Sequence, residues 1–303
     1  MNSPIRYIER KDLDAQKWNQ CIDQSQNGLI YGYSSYLDNM AVHWDALVLN
    51  DYEGVMPLTW NRKFGYYYLY QPAFTACLGV FGKNITEQLT GDFLSSIPKY
   101  FKLIEINLNA GNIFSVPSGF SILRKNYFLK LHKSYEELHQ NFRENIRRNI
   151  KKAVQAGCTV KKNIPIQDVI GLARAQLSSV TNVKPEDFQN FEKLFNLLNT
   201  DQRQTYGIYR EDKLLSAAVF LFSHGRAYYI LAGNHPDGKT LGTSHYLVDR
   251  FIADHAGTPL VLDFEGSDVQ SLAFFYESFG SELEVYPAIR INNLPWIARL
   301  LNR

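Results

Sequence analysis

Gln204–Ala232, QTYGIYREDKLLSAAVFLFSHGRAYYILA, is the stretch on which the fold turns. It divides into three segments, Gln204–Arg210, Lys213–Ser223 and Arg226–Ala232, each rich in β-branched and aromatic residues. The pairs Glu211–Asp212 and His224–Gly225 stand between them, as tight turns require. The pattern predicts a three-strand antiparallel meander. Upstream, periodicity predicts a helix over Ser134–Ala156, closed by Gly157 as a left-handed cap, then a strand over Cys158–Lys162. Helices near Ile166–Val180 and Pro185–Asn199 lead into the meander. Downstream come a helix over Thr243–His255, a strand over Leu260–Phe264, a helix over Asp268–Phe279 and a strand over Glu282–Ile291.

The first half predicts the same order. A strand at Ile5–Glu9 precedes a helix capped by Asp12 or Asp14, with Trp18, Cys21 and Ile22 on one face. A helix near Ser34–Val42 leads to a second meander, Trp44–Leu49, Val55–Trp60 and Gly65–Tyr70. A helix over Thr86–Phe101 and strands at Leu103–Leu108 and Phe120–Leu131 follow. The alternating run Tyr66-Tyr67-Tyr68-Leu69-Tyr70 reads as a packed β-ribbon rather than a base-stacking platform. Repetition of one element order predicts two tandem domains, 1–132 and 133–303, with no Pro/Gly/Ser-rich linker between them. The fold class is α/β (α+β), each domain a mixed, mainly antiparallel sheet flanked by helices. Strand, two helices, three antiparallel strands, helix, strand, helix, strand is the order of the GNAT (acyl-CoA N-acyltransferase-like) fold.

Composition narrows the function classes. With 303 residues, 45% of them hydrophobic, the chain can bury two cores. A net charge of +2 gives no global field toward DNA or membranes, so anionic partners must be sought in local clusters. Three scattered cysteines, Cys21, Cys77 and Cys158, argue for a reducing compartment and carry no metal-ligand spacing. No apolar run approaches the roughly 18 residues of a membrane span, and the N-terminus lacks a signal-peptide pattern. The expectation is a cytoplasmic chain without metal and without a permanently bound cofactor.

Three segments could carry chemistry. In NFRENIRRNIKK, Asn141–Lys152, Arg143, Arg147 and Lys151 recur at i, i+4 and i+8, with Arg148 and Lys152 beside them. Phe142, Ile146, Ile150, Ala153 and Val154 form the opposite stripe. This is either a solvated helix face or a binding face for phosphate, to which guanidinium forks are well matched. In GKTLGTS, Gly238–Ser244, a glycine-bearing turn opens a helix, whose N-terminal N–H groups favour anions. Lys239, Gly242 and Ser244 keep the spacing of the GNAT coenzyme A turn but replace its first and last residues. An ordinary strand-to-helix turn is the alternative. In LDFEGSDVQSLAFFYESFG, Leu262–Gly280, alternation places Asp263 and Glu265 on one side of a strand at its C-terminal end. Paired carboxylates raise one another's pKa and suit a general base; capping or ion pairing is the alternative. Tyr276 matches the tyrosine of the GNAT Leu-Tyr-Glu-x-x-Gly-Phe segment, a proton donor there and otherwise a core residue. Val269 and Ser281 depart from that pattern. No HExxH, GxSxG or CxxC motif is present.

In their order, these segments resemble the Fem-type (FemABX-like) peptidyltransferases. NFRENIRRNIKKAVQAGCTV is similar to the family's Asn-x-Arg-Arg-x-Ile-x-Lys-Ala-x-x-x-Gly-Val segment, and LDFEGSDVQSLAFFYESFGSELEVYP to its Asp-Phe-x-Gly-Ser…Phe-Lys-x-x-Phe-Gly-Gly ending. WDALVLNDYEGVMPL and YLYQPAFTACLGVF are similar to its first-half meander and Pro-x-Phe…Leu-Gly loop. The resemblance implies tandem GNAT-like domains and acyl or aminoacyl transfer to a primary amine, with acyl-CoA or aminoacyl-tRNA as co-substrate. It implies a small-molecule or cell-wall-precursor acceptor and, through the basic helix, tRNA as a partner. An acyl-CoA-dependent N-acetyltransferase and a non-catalytic module binding an anionic ligand are the competing readings. The long helical hairpin of several tRNA-using members is missing here.

Overall fold

In the computed structural model, residues 4–113, 121–177, 183–266 and 268–296 are described. In chain order the strands and helices are β1 Ile5–Ile8, α1 Ala15–Gln24, α2 Ser34–Met40, β2 His43–Leu49, β3 Gly54–Lys63, β4 Tyr66–Leu69, β5 Phe81–Gly82, α3 Glu87–Ser95 and β6 Phe101–Asn107. Then come β7 Ser121–Lys130, α4 Tyr135–Gln140, α5 Glu144–Gln155, β8 Thr159–Lys162, α6 Ile166–Leu177, α7 Pro185–Leu197, β9 Arg203–Arg210, β10 Lys213–Ser223 and β11 Arg226–Asn234. The chain closes with α8 Pro236–Leu241, α9 Thr243–His255, β12 Val261–Asp263, α10 Gln270–Glu277 and β13 Glu282–Asn292.

Contacts divide the chain into two units, one running to Arg124 and resuming at Val285, the other Lys125–Glu284. The first unit's sheet runs β1-β2-β3-β4-β6-β13, and β5 adds to β3. Its meander, β2 to β4, is antiparallel throughout. The side chain of Asp14 caps α1 by accepting from the backbone N–H of Gln16 and Lys17. Helix α3 stops at Ser95, short of the expected Phe101. Pro98 disfavours helical backbone in the residue before it, and the chain is extended again from Phe101. Met56, Leu58, Leu69, Phe93, Phe101 and Ile289 share one core.

The second unit's sheet runs β7-β12-β11-β10-β9-β8. The meander β9-β10-β11 is antiparallel, with Lys213 opposite Arg210 and Ser223 opposite Arg226, so both tight turns fall where expected. Phe220 of β10 stacks on Phe251 of α9 at 3.8 Å, and Tyr206 of β9 meets both rings edge-on. All three are fully buried. The single helix expected over Ser134–Ala156 is broken in two. At Asn141–Arg143 the chain leaves helical geometry to bury Phe142 against Phe279, and the Arg143 N–H is held by the Ser278 carbonyl.

The terminal strands of the two expected halves are exchanged. The expected last strand of the first half is β7, which pairs antiparallel with β12 in the second unit. The expected last strand of the second half is β13, whose Ala288–Asn292 pairs with β6 in the first. The compact units therefore differ from 1–132 and 133–303 at both ends. Each strand satisfies its backbone groups in a sheet that is distant in sequence.

Replacing Phe251 by alanine should lower unfolding free energy by about 3–5 kcal/mol in urea denaturation, because a stacked aromatic core loses both contacts and volume. Val42→Ala, at a 59%-exposed position, should change it by no more than about 0.5 kcal/mol.

Candidate active site

Helix α5 presents two faces. Phe142, Ile146, Ile150 and Ala153 are buried, while Arg147, Arg148, Lys151 and Lys152 are exposed and form no ion pair among the described residues. Val154, expected in the apolar stripe, is 52% exposed: it falls on the solvent side as the helix ends. Arg143 does not belong to the free face. Its Nη2 lies 3.4 Å from Glu277 Oε2 and its guanidinium stacks over Phe274 at 4.9 Å, tying the start of α5 to α10.

Gly238–Ser244 is more structured than a loop. Its first four residues lie in α8, where a Cβ on Gly238 would come 2.3 Å from the Leu215 carbonyl oxygen. That glycine therefore serves helix-on-strand packing. Lys239 is exposed on the same short helix. Gly242 is the pivot between α8 and α9, left-handed at φ 75°, and Thr243 is anchored below it by a hydroxyl contact with Ser216. Ser244 sits partly exposed in the first turn of α9.

The structure joins the basic helix to this turn. A Cβ on Gly242 would lie 2.7 Å from the Asn149 Cβ and 2.9 Å from the Asn149 carbonyl, so α5 passes directly over the N-terminus of α9. The contact brings in two residues that the sequence reading missed. Asn149 Nδ2 donates to the Asn145 carbonyl and lies 3.5 Å from His245 Nε2. The His245 ring packs edge-on against Phe275, and its Nδ1 is buried without a hydrogen bond of normal geometry. Burial pushes the His245 pKa down to about 4, with the Gly242 carbonyl acting in the opposite direction, so the ring is neutral near pH 7. The available signal was position: His245 directly follows Ser244 of the anion turn.

The carboxylates part company. Strand β12 ends at Asp263, and Glu265 takes left-handed backbone (φ 66°) followed by Gly266 (φ 70°), so the two do not share a strand face as expected. The reason is steric: a Cβ on Gly266 would meet the Lys125 carbonyl at 2.4 Å, and the chain turns to run under β7. Asp263 is nearly buried. Its Oδ2 accepts from Arg226 at 2.6 Å and its Oδ1 from the Glu265 N–H at 3.0 Å. Arg226 also faces Glu284 at 3.4 Å; burial opposes its charge, and these carboxylates more than restore it. Glu265 is partly exposed. Tyr276 is 8% exposed and stacked on Phe264 at 4.8 Å, and burial plus the charge of Glu265 push its pKa up.

Between these elements β11 loses its partner. It pairs in parallel with β12 only from Arg226 to Tyr228. On the other side, register with β10 slips at Ile230, a bulge that bends the strand. Among the described residues Tyr229–Ala232 thus carries no strand partner on the side of β12, leaving backbone polar groups along a short edge. Gly233 and Asn234 beyond it are covered by α6, through Ala173 and Gln176. Among the described residues no group of His, Cys, Asp and Glu is arranged to hold a metal ion. No helix there is long and apolar enough to cross a membrane.

Residues 140–268 match the family model of the acetyltransferase (GNAT) domain, a span that holds the basic helix, the Gly242 turn and both carboxylates. No curated protein matches the sequence. Among solved structures the chain is similar to FemX, with 13% identity, TM-score 0.67, and 98% of this chain and 100% of that one covered. It is also similar to a tandem GNAT protein from the clavulanic acid biosynthesis pathway, with 10% identity, TM-score 0.57 and coverage of 96% and 99%. The C-terminal domain of a putative lysylphosphatidylglycerol synthetase from Agrobacterium fabrum gives 9% identity, TM-score 0.56 and coverage of 95% and 94%. At such identities the likeness establishes the fold.

His245 gives this region a pH signature. Its folded pKa of about 4 lies below the usual 6.5, so between these values the unfolded chain binds more protons. Stability should fall as pH drops from about 6.5 to 4, by roughly 2–3 kcal/mol from this residue. His245→Gln should flatten that part of the profile, measured by urea denaturation at stepped pH.

Proposed function

We propose that this chain, whose residues 140–268 form a GNAT acetyltransferase domain within a Fem-like tandem fold, transfers an acyl or aminoacyl group to a primary amine. The observation that carries the reading is the close approach of α5 to Gly242 at Asn149, which brings a helix bearing exposed, unpaired cations, Lys152 one turn from the contact, against the N-terminus of α9. Gly242, Ser244 and Lys239 would hold the donor's diphosphate if the donor is acyl-CoA. Arg147, Arg148, Lys151 and Lys152 span about 7.5 Å along the axis of α5, room for a diphosphate or for neighbouring phosphates of aminoacyl-tRNA. The acceptor would be a cell-wall precursor or another nucleotide-linked amine in the cytoplasm.

The donor ester or thioester is already activated, so placement and charge stabilisation supply most of the rate. The amine lone pair attacks the donor carbonyl carbon, the bond to the leaving oxygen or sulfur breaks, and the amine proton passes to a carboxylate or water. Backbone N–H groups on the Tyr229–Ala232 edge would receive the developing oxyanion. Glu265 is the better proton acceptor, because it is partly exposed whereas Asp263 is nearly buried. Tyr276, its pKa raised, keeps its proton and would hydrogen-bond the leaving atom.

Arg147→Ala with Arg148→Ala should weaken donor binding at least about tenfold by calorimetry while leaving the melting temperature unchanged. Running acetyl-CoA beside aminoacyl-tRNA identifies the donor, and undiminished binding of both would defeat the reading. Glu265→Gln should lower kcat about 100-fold in a folded protein. Asp263→Asn should instead cost stability, on the order of 3 kcal/mol, by leaving Arg226 under-compensated.

A further inference from the structure

Arg143, singled out with the basic helix, is absorbed neither by the free cationic face nor by the Gly242 turn. It contacts Phe274 and Glu277, which line a cavity of about 740 Å³ together with Lys125, Tyr127, Asp268 and Ser271. Every one of these belongs to the second unit. The cavity lies beside α10 on the side of Phe274 and Glu277, whereas Phe275 of the same helix faces His245.

The chemistry of the walls is asymmetric. Both oxygens of Glu277 are held in place, Oε1 by the Tyr127 hydroxyl at 3.1 Å and Oε2 by Arg143 at 3.4 Å, yet the side chain stays 42% exposed. A fixed, accessible carboxylate is prepared to accept further hydrogen bonds. Asp268 adds a second carboxylate near Tyr127, whose pKa is raised by burial and by both acids. Phe274 is 50% exposed, with Arg143 already over its ring. Lys125 lies two residues before Tyr127 on β7, hence on the same strand face, and forms no ion pair among the described residues. The lining therefore combines two carboxylates, an ammonium and an apolar ring.

We infer that this cavity binds an organic ammonium that carries an anionic group a few bonds away, with Glu277 and Asp268 on the ammonium and Lys125 on the anion. The inference rests on the acyl-transfer reading only in making that ammonium the acceptor. Geometry connects the two sites. Arg143 marks the cavity and Asn149 the Gly242 turn, six residues apart, or about 9 Å along the helix axis. A donor anchored by its anionic end at the turn has that distance to cover before its carbonyl meets the amine.

The probe is 6-aminohexanoate, with hexanoate and pentylamine as single-charge controls, titrated against the full chain by ligand-observed NMR. The expected result is saturable binding of 6-aminohexanoate, weakened about tenfold in Glu277→Gln, which keeps an acceptor for Tyr127 but loses the charge. Lys125→Met should weaken 6-aminohexanoate and hexanoate and spare pentylamine. Calorimetry with acetyl-CoA and aminoacyl-tRNA should be unchanged in both variants. Should Glu277→Gln fail to fold, Asp268→Asn reads the same loss. Equal binding to wild type and these variants, or no saturable binding below about 10 mM, overturns the inference. With donor binding intact that result leaves acyl transfer standing, whereas failure of the chain to bind either donor removes acyl transfer and leaves the cavity as an ammonium site.

Discussion

At Gly242 the backbone is left-handed, and a Cβ would press within 2.7 Å of Asn149. Helix α5 can therefore lie across the first turn of α9 only if residue 242 has no side chain. Much else in the second unit follows from that contact. It brings Asn149 to His245 and lays the basic helix α5 over a helix N-terminus. Below the turn, Thr243 is locked to Ser216 on β10, so α9 is fixed to the sheet through a polar contact as well as through Phe251.

A second constraint operates where β12 ends. Asp263 is buried against the partly exposed Arg226, and a charge pair in such a place contributes little net stability but is costly to break. Its value lies in direction. With Asp263 tied to Arg226 and to the Glu265 N–H, the chain must turn sharply at Glu265 and Gly266. The turn ends pairing with β11 after three residues and leaves the Tyr229–Ala232 edge without a strand. Left-handed backbone at a non-glycine residue costs of the order of 1 kcal/mol, and its position beside an unpaired strand edge fits a segment shaped for function.

Local chemistry was legible wherever it sufficed. Both turns of the β9-β10-β11 meander, the Asp14 cap and the burial of Ile146, Ile150 and Ala153 on α5 follow from neighbouring residues alone, and each stands as read. The acid pair was misread because alternation presumes a continuing strand, and nothing local announces that β12 stops at Asp263. Gly238 and Gly242 look alike in sequence. One is required by a carbonyl of β10 and the other by the backbone of α5, both distant in the chain. Arg143 and Arg147 likewise share a helical period, yet only Arg143 finds Glu277, which is 134 residues away.

The sequence by itself determined the kind and order of most elements, the tandem arrangement and the residue types from which a site could be built. Hydrophobic period, turn residues and caps act over a few residues, and those are the distances a sequence displays. Tertiary structure alone decided which sheet each strand joined. β7 and β13 each find their antiparallel partner in the unit to which the other would have been assigned. Backbone hydrogen bonds are chemically identical in either sheet, so the choice rests on how side chains pack against the two cores, and no single strand contains that information.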